Sequence, residues 1–151
     1  MDRNSILSSL VTNFKTFSTS DARETVEKVL KHSGRDDEIM ERADIKREVA
    51  IFRFLSGTAV LPINAEKPSE LEQTLEVMLF IEQGDSHSIK EARYDRMFEL
   101  SDQLIDWATQ TDAYSINSDL YSLSLESVGD TREREGYFSA TLNFTIIIKI
   151  Q

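Results

Sequence analysis

Phe138-Ser139-Ala140-Thr141-Leu142-Asn143-Phe144-Thr145-Ile146-Ile147-Ile148-Lys149-Ile150 is the most sharply patterned stretch of the chain. Phe138, Ala140, Leu142, Phe144, Ile146, Ile148 and Ile150 alternate with Ser139, Thr141, Asn143, Thr145 and Lys149. Successive side chains of a strand point to opposite faces, so the alternation predicts one long strand with an apolar face. Left as an open edge, such a strand would aggregate. It therefore requires pairing on both sides, within the subunit or across a subunit boundary.

Working outward, residues 129–136, Gly-Asp-Thr-Arg-Glu-Arg-Glu-Gly, read as a charged hairpin loop, and residues 120–128 as its partner strand. Tyr121, Leu123 and Leu125 are expected on one face of that strand. Ser88-Ile89-Lys90-Glu91 matches a capping box, in which Ser and Glu satisfy the first free amides of a helix reciprocally. That helix should run to about Thr109 and bury Ile89, Met97, Leu100, Leu104, Trp107 and Ala108. Before it, Leu71, Leu75, Val77, Leu79 and Ile81 alternate with Glu70, Glu72, Thr74, Glu76 and Glu82, a half-buried strand closed by Gly84-Asp85. Residues 48–55, with Val49, Ile51, Phe52 and Phe54, form another strand. Residues 56–69 contain both prolines, Pro62 and Pro68, and are expected to be a long loop. At the N-terminus Ile6, Leu7, Leu10, Val11 and Phe14 recur at helical spacing, with Asn4 as the cap and a break at Phe17-Ser18-Thr19-Ser20. Residues 24–31 fit a helix face or a strand, ended by Gly34, and residues 36–42 a short helical turn. The sum is an α+β fold, a single domain over 1–151, with an antiparallel or mixed sheet of four to five strands packed against a long helix and an N-terminal helix.

The chain has 151 residues, enough for one ordinary domain, and 40% apolar with 29% charged residues is a globular composition. With 17 Lys+Arg against 27 Asp+Glu the net charge is −10, which argues against non-specific nucleic-acid binding, and no specific nucleic-acid binding is expected. There is no cysteine, so disulfides, thiolate zinc sites and catalytic thiols are excluded. No signal peptide is read at Met1-Asp2-Arg3-Asn4, and Ile146-Ile147-Ile148 is far short of a membrane span. The expectation is a soluble, intracellular protein with no membrane partner.

The residues offer little for catalysis. Asp85-Ser86-His87 are adjacent at a strand-to-helix turn, whereas a triad needs side chains converging from separate elements. The five glycines are isolated, no phosphate-binding loop is present, and His32 and His87 have no metal-ligand spacing. No catalytic, cofactor or metal residue is assigned, and the protein is not expected to be an enzyme. One constellation stands out. Glu91, Asp95, Glu99, Asp102 and Asp106 recur at spacings of 4, 4, 3 and 4, within an arc of roughly 80° on the long helix. Three readings stay open: a solvated face, a face that lines an acidic channel or meets a basic partner, and a divalent-metal or carboxylate site. No Lys or Arg lies between Met97 and Thr131, so the charge is polarised along the chain.

The element order matters here. The segment Leu75-Glu76-Val77-Met78-Leu79-Phe80-Ile81, the long helix, and Tyr137-Phe138-Ser139-Ala140-Thr141-Leu142-Asn143-Phe144-Thr145-Ile146 together resemble the small tail terminator proteins of long-tailed bacteriophages. The resemblance spans roughly residues 47–150. It implies a structural virion protein, without catalytic residues, that caps the tail tube as a homo-hexameric ring and forms the surface that joins it to the head connector. The implied partners are further copies of the chain, the tube protein and the connector or neck protein, with DNA passing through the lumen. The implied location is the head-proximal end of the tail, and the host cytoplasm during assembly. Pro62, Ile63 and Lys67 in one loop, and Arg132 and Arg134 in another, are the expected interface residues. The rivals are another phage neck or tail adaptor, and a small acidic metal- or ligand-binding α+β domain.

Overall fold

The computed structural model describes residues 1–31, 47–134 and 136–150. The expected strand over 138–150 is the centre of the molecule. It runs over Tyr137–Lys149 as β6 and has partners on both sides. In chain order the elements are α1 (Arg3–Ser20), β1 (Val29–Lys31), β2 (Glu48–Val60), β3 (Glu70–Glu82), α2 (His87–Gln110), α3 (Ala113–Ile116), β4 (Leu120–Val128), β5 (Arg132–Arg134) and β6. The sheet has six strands in the order β1-β2-β3-β6-β4, with β5 also pairing β6. Only β1–β2 is parallel; every other pair is antiparallel. The fold is thus mixed α+β, with six strands where four to five were expected.

Helices α1 and α2 cover one face. Ile6, Leu10 and Phe14 of α1 and Met97, Leu100, Leu104 and Trp107 of α2 meet Phe52, Leu75, Leu79, Leu142, Phe144 and Ile146 in one core. Trp107 is its hub: its ring lies 5.4–6.0 Å from those of Phe14, Phe52 and Phe144, and its Nε1 donates to Asn13 Oδ1 at 2.8 Å. Edge-on rings at this spacing add to the area burial, and the indole N–H has the partner that a buried donor needs.

Several expectations are corrected. Asp2, rather than Asn4, caps α1, accepting from the amides of Asn4 and Ser5 at 3.0 and 3.2 Å; an anion there also meets the helix dipole favourably. The helix continues through 17–20, where Thr19 and Ser20 bond back to the carbonyls of Lys15 and Thr16 and the buried Ser18 bonds Gln103. Of the ambiguous stretch 24–31, Val29–Lys31 is strand. The readings at Gly34, His32 and 36–42 lie outside the described residues. Ser86 caps α2, accepting from Ile89 N at 3.3 Å, so Ser88 lies inside the helix and Ile89 is 41% exposed. The expected loop 56–69 shrinks to 61–69, since β2 continues to Val60. The extension passes through an irregularity between Phe54 and Gly57. There the buried Gln73 donates to the carbonyls of Leu55 and Ser56 at 2.6 and 3.2 Å. Gly57 fits closely beside it, as a Cβ would stand 3.0 Å from Gln73 Oε1 and 3.2 Å from the Glu72 carbonyl. On β4, a register shift at Tyr121 turns that ring out to 53% exposure, while Leu120, Leu123 and Leu125 face the core. Residues 132–134 of the expected hairpin loop form β5.

The other sheet face is divided. Near the start of β2, Val49, Ile51, Met78 and Phe80 form a second buried cluster with Leu30 packed against it. Toward the β2–β3 hairpin the face is polar: Glu72, Thr74, Glu76, Asn143, Thr145, Ser124 and Glu126 are partly or fully exposed.

Candidate functional site

The five carboxylates expected on one face of α2 do not act alike. Asp95 and Asp102 are exposed. Glu91 is exposed too, 3.9 Å from His87 one turn earlier. Glu99 and Asp106 are engaged. Glu99 Oε1 accepts from Arg96 Nη1 at 2.7 Å and from the amide of Glu24 at 3.2 Å. Asp106 Oδ2 accepts from Arg23 Nη2 at 2.7 Å. Two of the five therefore clasp the segment that joins α1 to β1.

This clasp has a buried centre that the sequence reading missed. Arg96, only 8% exposed, lies against Glu48 at the start of β2: Nε to Oε2 at 3.0 Å and Nη2 to Oε1 at 2.9 Å. Its Nη2 also donates to the Glu24 carbonyl at 3.0 Å, and Glu48 Oε1 accepts from Glu27 N at 3.1 Å. Burial works against the guanidinium's charge, yet Glu48 first, then Glu99 and Glu24, more than offset it and raise its pKa. The fork is bidentate, the geometry that makes an Arg–carboxylate pair strong. One turn pair further on, buried Gln103 extends the arrangement. Its Oε1 accepts from Ser18 Oγ at 2.7 Å and its Nε2 donates to Asp21 Oδ2 at 3.0 Å. Ser18 Oγ in turn accepts from Val26 N at 2.8 Å. Arg23 Nε donates to the same Asp21 oxygen at 2.6 Å. The Arg23 bond, then that of Gln103, lowers the Asp21 pKa to about 2. The helical spacing held the signal: Arg96, Leu100, Gln103, Leu104 and Trp107 share one face.

Beside the clasp is a cleft of about 260 Å³ lined by Glu24, Arg47, Glu48, Arg93, Asp95, Arg96 and Glu99 among others. Its deepest charges are already paired with each other, and Arg93 Nη1 donates to the Glu82 carbonyl at 3.1 Å. Arg96, Glu48 and Glu99 in it hold chain segments together, while Asp95 and Arg47 line its exposed side. The adjacent Asp85, Ser86 and His87 do not converge; Ser86 caps α2 and the His87 side chain is 94% exposed. Among the described residues no group of three or more His, Asp or Glu is placed to hold a metal ion. Also among them, no helix is long and apolar enough to cross a membrane.

The expected interface residues sit at two places. Pro62, Ile63 and Lys67 lie in the exposed turn 61–69, where Ile63 is 94% exposed and Asn64 has φ 63°. Arg132 and Arg134 are exposed on β5, at the opposite end of β6. The two groups are not brought together.

These features define a two-layer α+β protein, helices on one sheet face, whose buried polar groups hold its own segments in place. No protein-family model and no curated protein matches the chain.

Proposed function

We propose that this chain is a structural, non-enzymatic ring subunit of the tail terminator type. It caps a phage tail tube at the head-proximal end and offers the surface that meets the head connector. The observation that carries the reading is the division of the sheet. One face is packed by helices. The half of the other face nearer the β2–β3 hairpin presents, around Ile147, the small polar residues Thr74, Thr145, Asn143, Ser122 and Ser124 among the carboxylates Glu70, Glu72, Glu76 and Glu126. Among the described residues the cations in that area are Lys149 and Arg53, the latter 2.5 Å from Glu76. A wall of this kind repels phosphates and, among the described residues, has no clustered Lys or Arg to replace their counterions, so DNA can slide past it. The resemblance of the element order to tail terminators supports the same reading. In this ring the sheet face lines the lumen, and the exposed carboxylates of α2, Glu91, Asp95 and Asp102, lie on the outer layer.

Light scattering with negative-stain imaging tests the ring directly: a closed oligomer is expected, and a chain that stays monomeric at all concentrations overturns the reading. Glu72→Lys with Glu126→Lys tests the lumen. The variant should form rings of normal size yet fail to complement infectivity, because the wall now holds the DNA. Full complementation would show that this face does not line the path.

A further inference from the structure

Among the described residues both ends of the sheet carry unpaired edge, at the same level and in opposite directions. At one end, β1 pairs β2 only from Ala50 to Phe52. Among the described residues, β2 from 55 to 60 has no strand on its outer side, and all six residues are exposed. At the other end β4 is the last strand. The pairing register connects the two edges across the sheet. Gly57 pairs Gln73, Gln73 pairs Ile146, and Ile146 pairs Leu123. One row further, Thr58 leads through Glu72 and Ile147 to Ser122. The free part of β2 and the first half of β4 thus end the same rows. Each of the three intervening pairings is antiparallel, so β2 and β4 run in opposite directions.

Neither edge is protected by charge. Residues 54–65 contain no charged residue, and 120–128 contain only Glu126. Lysines, prolines and inward charges help to keep natural edges from pairing, and 57–60 and 122–125 have none of them. The irregularities at Leu55–Ser56, Tyr121 and Glu126 leave four regular residues on each edge, 57–60 and 122–125. Exposed apolar side chains flank both: Val60, Leu61 and Ile63 beyond the β2 edge, Tyr121 and Tyr114 beside the start of β4.

We infer that the occupant of each edge is a second copy of this chain, joined head to tail: residues 57–60 of β2 pair antiparallel with 122–125 of β4 in the next subunit. Copies that keep one polarity about a ring axis bring a β2 edge to an oppositely running β4 edge at every junction. A heterologous contact of this kind repeats around a ring and closes it. The hairpin tip, Leu61 and Ile63, then lies over Tyr121 and Tyr114 of the neighbour. This inference rests on the ring reading above and names the surfaces that build the ring.

Blocked edges test it. One variant carries Thr58→Lys with Val60→Lys, the other Ser122→Lys with Ser124→Lys; all four side chains are outside the helix-packed core, and circular dichroism checks that both variants fold. Each alone should be monomeric by light scattering. An equimolar mixture should give dimers and nothing larger, because each chain then offers the one edge the other needs. Homodimers from either variant alone would indicate self-pairing of one edge and overturn the head-to-tail contact. Rings that persist in both variants would overturn the inference and leave the ring reading standing. A wild-type chain that is itself monomeric overturns both.

Discussion

Asp21 shows how much a single exposed-edge carboxylate contributes to the fold. Its pKa lies at about 2 against the ordinary 3.8, held down by Arg23 and then Gln103, while burial pushes the other way. Because the folded value is the lower one, the unfolded chain binds more protons between the two, and stability rises with pH across that window. The contribution is complete above about pH 4 and is lost as the pH falls through about 2. Asp21→Asn should therefore melt below wild type at pH 7, and thermal scans should show the gap closing between about pH 4 and pH 2. A gap unchanged over that range would mean that the charge is idle. Arg23 is a close neighbour in the chain, but Gln103 could not be assigned to Asp21 from the sequence, since it arrives from α2, 82 residues away. Gln73 is a related case. It occupies a core position in the alternation between Leu71 and Leu75; the irregularity in β2 turns two carbonyls toward its Nε2, which also donates to the Thr74 carbonyl, and Arg3 donates to its Oε1.

At the scale of elements, the clasp between α2 and the α1–β1 connection depends on Arg96 and Glu48. Removing one partner of a buried pair leaves the other charge without compensation, at a cost of about 3–5 kcal/mol. Arg96→Met should show that loss in urea unfolding. Arg96→Met combined with Glu48→Met should lose less than the single change, since no uncompensated charge then remains. A double variant that loses as much as the two single variants added together would show that the pair does not act as a unit. The elements themselves were largely legible. The bounds of β3, β4, α2 and β6 follow the alternations and periodicities to within a residue or two. The misreadings fall at ends and irregularities: the cap at Asp2, the continuation of α1 through its Ser/Thr run, and Tyr121. Those depend on which side chain reaches which backbone group, and periodicity carries no information about that.

For the whole molecule, β6 is the element that the others are built on. It pairs β3 along thirteen positions and β4 and β5 on its other side. Deleting residues 144–151 removes the partners of Glu70 through Leu75 and of Leu120 through Leu125. Two strands would then expose apolar faces and unpaired edges together, the condition for aggregation. The truncated chain should be insoluble, by the soluble fraction on expression; a soluble, folded product would contradict the central role of β6.

Hydrophobic period alone carried the architecture, because a strand or helix that must bury one face writes that requirement locally, every second or every third to fourth residue. It also carried the demand that β6 be paired on both sides. The partners were decided only by the tertiary structure. The same acidic spacing on α2 splits into three solvated carboxylates and two that clasp the chain, because Arg23 and the backbone of Glu24 happen to be brought beside it. The open β2 and β4 edges, and the acidic half of the sheet face between them, exist only once the strand order is set. They depend on contacts between residues far apart in the chain, which no local pattern encodes.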